Sequence, residues 1–203
     1  MLRAVLFLGV AVVLAAPAGA VVYINFDDMN SGGSQYGVAV GTQYQPLGII
    51  FTNAYASDYW SSQATTSYPT VAYGESDCEY NSVSAAPVTA YFVVPGTGTQ
   101  APTDYVELLT AWADSGATVM LEGFDLNGGL VASDTNVGAG WPNATPLSIS
   151  AAGIYSIKVT FGANDDVDGI DDLYFNAPVP EPTGVALIGL GVLGVAGRLL
   201  RRR

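Results

Sequence analysis

Between Val21 and Asn176, glycine, proline, asparagine and aspartate cut the chain into apolar runs about four to nine residues long. Runs of that length, rich in β-branched and aromatic residues, suit strands and are too short for packed helices. Candidate strands fall at 21–26, 47–52, 70–73, 88–94, 105–113, 118–124, 130–132, 147–150, 155–161 and 170–175. The Asn127-Gly128 pair predicts a tight hairpin between 118–124 and 130–132. Alternation is clearest at 155–161, where Tyr155, Ile157, Val159 and Phe161 share one face. About ten such strands predict an all-β fold, an antiparallel β-sandwich.

Both ends of the chain read differently. Met1-Leu2-Arg3, an apolar stretch at 4–16 and Ala18-Gly19-Ala20 have the three parts of a secretory signal peptide, with cleavage expected after Ala20. At the other end, Pro180-Glu181-Pro182 precedes a run, 183–197, without any charged residue. Arg198, Leu199, Leu200, Arg201, Arg202 and Arg203 close the chain. A membrane span needs at least about 17 apolar residues, so 184–200 reaches that length if Arg198 snorkels to the interface. The arginines then hold the C-terminus in the cytoplasm.

The order Val179-Pro180-Glu181-Pro182, short Gly/Leu/Val helix and terminal Arg cluster resembles the PEP-CTERM sorting segment of exported bacterial proteins. The resemblance implies recognition by a membrane enzyme of the exosortase type, with Pro180, Glu181, Pro182, Arg198, Arg201, Arg202 and Arg203 as the signal. A permanent, unprocessed tail anchor is the alternative. The middle of the chain is similar to jelly-roll domains of the carbohydrate-binding-module type. That likeness rests on Ile24-Asn25-Phe26-Asp27-Asp28, Leu47-Gly48-Ile49-Ile50-Phe51, the stretch 121–131 and Gly169-Ile170-Asp171-Asp172-Leu173-Tyr174-Phe175. It leaves 36–46 and 53–69 without a counterpart.

Charge sharpens the division. All acidic residues but Glu181 fall within 21–178, where Lys158 is the one basic residue, so this part carries about −16 at neutral pH. No basic patch exists to meet phosphate, which excludes nucleic acid as a partner. Cys78 is the single cysteine and there is no histidine, so internal disulfides and zinc centres are not expected. The same lack removes Ser-His and Cys-His nucleophile systems. Glu75, Glu79, Glu107 and Glu122 are carboxylates of the kind glycosidases pair, but nothing selects two of them. A non-catalytic domain is expected.

Two candidate sites remain. If the first and last strands pair antiparallel, Asp27 and Asp28 approach Asp168, Asp171 and Asp172. Clustered carboxylates without a basic partner favour a hard cation, so structural calcium is one expectation; a solvated acidic rim, with some carboxylates capping turns, is the other. Residues 164–169 open like an EF-hand loop, but Phe175 stands where its bidentate glutamate belongs, so it is not one. The second candidate is aromatic: Tyr55, Tyr59, Trp60, Tyr68, Tyr73 and Tyr80 fall in a Ser/Thr-rich stretch, with Tyr59 and Trp60 as candidate stacking residues for a sugar; rings that cover the sandwich edge are the alternative.

The expected layout is a signal peptide (1–20), a sandwich (21–176), a Pro-rich linker (177–183), a transmembrane helix (184–200) and a basic cytoplasmic tail (201–203). Such a chain is an inner-membrane-anchored precursor, then a cell-surface or extracellular-matrix protein of a Gram-negative-type bacterium. Extracellular polysaccharide is a candidate ligand of the sandwich. A structural, self-associating surface protein is the other class.

Overall fold

The computed structural model describes residues 20–29, 37–57, 71–73, 86–111, 116–138, 143–162 and 169–178. The expected signal peptide, membrane span and basic tail, together with Tyr59, Trp60, Cys78 and Asp168, lie outside the described residues. Among those described there is no helix long and apolar enough to cross a membrane.

Twelve strands form in the described residues: β1 (Val21–Ile24), β2 (Val38–Ala39), β3 (Ile49–Asn53), β4 (Tyr55–Ser57), β5 (Val71–Tyr73), β6 (Val88–Phe92), β7 (Thr103–Ala111), β8 (Thr118–Phe124), β9 (Leu130–Val137), β10 (Thr145–Ile154), β11 (Ser156–Thr160) and β12 (Gly169–Asn176). One sheet runs β10-β7-β12-β5-β4-β2, with β1 also on β12; the other runs β3-β6-β11-β8-β9. Every pairing between these strands is antiparallel. From β6 to β12 the chain crosses repeatedly from one sheet to the other, and the inner faces bury a shared core.

Alternation explains which residues fill that core. Val88, Ala90 and Phe92 of β6, Val119 and Leu121 of β8, and Ile157 and Val159 of β11 point inward from one sheet. Val106 and Leu108 of β7, Leu147 and Ile149 of β10, and Leu173 and Phe175 of β12 meet them from the other. The rings of Phe92 and Phe175 stand 5.1 Å apart across the two sheets. Gly123 keeps this packing close: a Cβ there would lie 2.7 Å from Ile149 Cδ1.

Several bounds differ from those expected. β1 stops at Ile24 because Phe26 turns to φ 59° and drives its ring into the core beside Tyr44 and Phe51. β10 is longer than 147–150: Pro146, Ser148 and Ser150 are its exposed face while Thr145, Leu147 and Ile149 are buried. β9 extends past Ala132 through Ser133, Asp134, Thr135 and Asn136, whose polarity reads as loop. It is the edge strand of its sheet, and its side chains occupy open backbone groups of β10, the edge strand of the other sheet. Asp134 Oδ2 accepts from Ser148 N at 2.8 Å, and Asn136 Nδ2 donates to Pro146 O at 3.2 Å. The stretch 36–46, without a counterpart in the sequence likeness, contributes β2 and the buried Tyr44.

Candidate functional site

The outward face of the five-stranded sheet forms an open groove of about 370 Å³ over β3, β6, β11 and β8. With alternate residues buried, Thr89 and Tyr91, Ser156 and Lys158, and Glu122 and Phe124 all face outward. Register aligns them in two rows. Ser156 lies between Tyr91 and Phe124, and Lys158 between Thr89 and Glu122. Tyr91 and Phe124 are two strand spacings apart, roughly 10 Å. Thr52, at a register shift of β3, brings its hydroxyl to 2.9 Å from that of Thr89. Lys158 Nζ is 3.5 Å from Glu122 Oε2, a half-exposed pair that holds the ammonium over the groove floor. Two aromatic walls, three hydroxyl groups and a charge pair thus converge on one apolar-floored surface, a set able to stack on and hydrogen-bond a small polar ligand.

Neither expected site predicted this groove. Tyr59 and Trp60 lie outside the described residues; of the other aromatics in that stretch, Tyr55 stands on β4 opposite Tyr73 of β5, in the other sheet. The signal for Tyr91, Phe124 and Lys158 was present as alternation within each strand, but nothing local says that these strands are neighbours. Glu107 and Glu122 project outward from opposite sheets, so they do not flank a common bond. Glu107 accepts a hydrogen bond from Tyr105, and that bond raises the Tyr105 hydroxyl above its ordinary pKa.

At the acidic end, β1 and β12 pair as expected, with Ile24 opposite Leu173. Asp171 and Asp172 lie where β12 changes partner from β5 to β1, at a register shift against β7, and Asp172 takes φ 47°. Tyrosines occupy the carboxylates: Tyr23 donates to Asp172 and Tyr44 to Asp28. Asp171 Oδ1 accepts from Asp172 N at 2.8 Å, and Asp27 Oδ2 accepts from Asn25 Nδ2 at 2.6 Å. Asp27 Oδ1 is buried and accepts no hydrogen bond from the described residues. Among those residues, no three carboxylates converge closely enough to share a metal ion.

Burial first, then the bond to Asp28, raises the Tyr44 hydroxyl far above its ordinary value of 10.0. Above about pH 10 the unfolded chain therefore loses a proton that the folded chain keeps, and stability falls as pH rises. The melting temperature is expected to be flat from pH 8 to 9.5 and to drop above 10. Tyr44→Phe should cost about 1–2 kcal/mol at pH 8 and make the alkaline fall shallower. Thermal melts of both proteins across this range check it; equal slopes would mean that Tyr44 does not contribute.

At the opposite end of β12, Pro178 is buried against Gly48. Gly48 has φ 100°, and a Cβ there would stand 2.8 Å from Pro178 Cδ. Beyond that point, residues 178–203 match the family model described as the PEP-CTERM protein-sorting motif. This is a PEP-CTERM tail. A PEP-CTERM tail marks an exported, membrane-passing substrate of an exosortase-type enzyme in Gram-negative bacteria. No curated protein matches the chain. Among solved structures, the chain is similar to TmCBM61 in complex with β-1,4-galactotriose, at 15% identity and TM-score 0.40, over 71% of this chain and 99% of that one. It is also similar to CsCBM6-3 from Clostridium stercorarium in complex with cellobiose, at 11% identity and TM-score 0.36, over 77% and 93%. A glycoside hydrolase family 43 arabinoxylan arabinofuranohydrolase from Bacillus subtilis aligns at 9% identity and TM-score 0.39, over 65% of this chain and 27% of that one. Nothing about this chain's ligand follows from likenesses of that degree. The matched segment thus begins at the buried Pro178 itself, two residues after β12, and Pro180 follows two residues later.

Proposed function

We propose that this is an exported surface or matrix protein whose non-catalytic sandwich binds a neutral glycan in the β3-β6-β11-β8 groove, delivered by its PEP-CTERM tail. The observation that supports the reading is the alignment of Tyr91, Ser156 and Phe124 in one outward row above the Thr52–Thr89 hydroxyl pair. Flat aromatic faces stack on sugar rings and nearby hydroxyls supply direction. A charge near −16 with one lysine disfavours polyanionic glycans by long-range repulsion. Binding of residues 21–178 to an array of neutral and acidic polysaccharides should show retention on neutral ones. Tyr91→Ala should weaken it about tenfold or more, a loss typical of a stacking aromatic, with the melting temperature nearly unchanged. Self-association without ligand, seen by light scattering and unaffected by Tyr91→Ala, would favour a structural surface protein instead.

A second proposal concerns the acidic end, where the buried Asp27 Oδ1 has no hydrogen-bond partner among the described residues. Structural calcium held by Asp27, Asp28, Asp168, Asp171 and Asp172 is the hard cation suited to such oxygens, and Asp168 must supply what the described carboxylates do not. Residues 21–178 should melt several degrees lower in EDTA than in millimolar calcium, since an ion bound to the folded state alone stabilises it. Sodium chloride at matched ionic strength should recover part of the shift by screening. Equal effects of calcium and sodium would eliminate the site.

A further inference from the structure

The end of the sandwich from which the tail leaves has a composition of its own. Val93 N donates to Gly48 O and Gly96 N to Gln45 O, so the turn at 93–101 lies beside Gly48 and Pro178, and the bond from Tyr155 N to Phe124 O places the 125–129 turn at the same end of the sheet, farther across it. Four of the eight large exposed hydrophobic side chains of the described residues are here: Val21 (65% exposed), Leu47 (41%), Leu126 (58%) and Leu130 (56%). Two carboxylates share this end, Asp104 and Asp125. The second caps its own turn, accepting from Asn127 N and Gly129 N at 2.8 Å. Asp27, Asp28, Asp171 and Asp172 lie toward the other end of the β1–β12 pair, Asp171 five residues or roughly 17 Å from Asn176 along the strand.

Leu47 precedes β3 while Leu126 and Leu130 flank the β8–β9 turn, three strand spacings or roughly 14 Å across the sheet. Apolar side chains spread over an end face in this way meet a flat partner better than a pocketed one. The chain beyond the structure says which flat partner. From Pro178 to Thr183, where the uncharged run begins, are five residues, at most about 18 Å when extended. The bilayer's polar interface takes up roughly 6 Å of that. Any span at 184–200 therefore keeps this end within about 12 Å of the headgroups, with the acidic end pointing away from them.

We propose that this end of the sandwich is seated on the outer surface of the membrane while the tail is in place, with Leu47, Leu126 and Leu130 entering the headgroup layer. The proposal rests on reading 184–200 as a span. Single labels test it in the full-length chain, in a Cys78→Ser background, reconstituted in phosphatidylethanolamine and phosphatidylglycerol vesicles. Leu47→Cys and Leu130→Cys report on the seat; Val137→Cys, opposite Thr118 at the other end of the β8–β9 hairpin, is the control. An environment-sensitive dye at 47 or 130 should shift to the blue and lose most of its emission to a lipid quencher placed near the headgroup, and the dye at 137 should do neither. As a reading free of substitutions, amide exchange at 45–48 and 125–130 should speed up when the vesicle-bound chain is clipped in its Pro-rich linker. Water-exposed labels at all three positions, in a chain that resists an alkaline wash, overturn the seat and leave the span standing. A chain that washes off overturns the span and the seat together. Protection that appears only when the sorting enzyme is added assigns the surface to that enzyme and overturns the lipid seat.

Discussion

Mature protein isolated from a host with an exosortase-type enzyme is expected to begin at Val21, to end near Pro180–Pro182, and to lack Arg203. The PEP-CTERM tail supplies the motif, the apolar run and the arginines in order. The fold is compatible with both ends: Val21 pairs with Asn176, and Pro178 is packed on Gly48, so cleavage at 180–182 leaves every described strand intact. Intact mass spectrometry reads both ends together. The expected change is all-or-none, since a host without the enzyme should retain Arg203 and keep the chain in its inner membrane. Mature surface protein that still carries Arg203 in the enzyme-containing host leaves a permanent anchor as the reading of the tail.

Phe92→Ala is expected to cost about 3–5 kcal/mol, the usual range for emptying a buried phenylalanine site. Phe92 is fully buried, and its ring meets that of Phe175, which joins β6 of one sheet to β12 of the other. Neither neighbouring strand can follow a collapsing ring without breaking a ladder on each side, so most of the void should persist. With no disulfide available from a single cysteine, a net stability of about 5–15 kcal/mol leaves little to absorb the loss. For a domain of this size the melting temperature should fall by roughly 10 °C. Leu126→Ala, on an exposed turn, should change it by no more than about 0.5 kcal/mol. Urea unfolding of the three proteins decides the matter; a Phe92→Ala cost under about 1 kcal/mol would mean that the inter-sheet core lies elsewhere.

The tail and the strands were legible from the sequence because both are local signals. The Pro-Glu-Pro triplet, apolar run and arginines are contiguous, and alternation at 155–161 placed Ile157, Val159 and Phe161 inward as the structure does, while Tyr155, expected on the same face, precedes β11 and is only partly buried. The pairing of β1 with β12, supposed from the sequence as the arrangement that would gather the aspartates, is present. What alternation could not reveal is which strands lie side by side. The groove depends on Tyr91 and Phe124 both facing Ser156, contacts between residues separated by dozens of positions. The acidic end shows the same limit at finer scale. Its aspartates were placed near one another by sequence, yet their tyrosine partners were not, because Tyr44 comes from a stretch with no strand pattern. Positive φ at Phe26 and Asp172 redirects the chain there. Local chemistry determined the elements and the tail; long-range register, which no window of sequence contains, decided what their outward faces bring together.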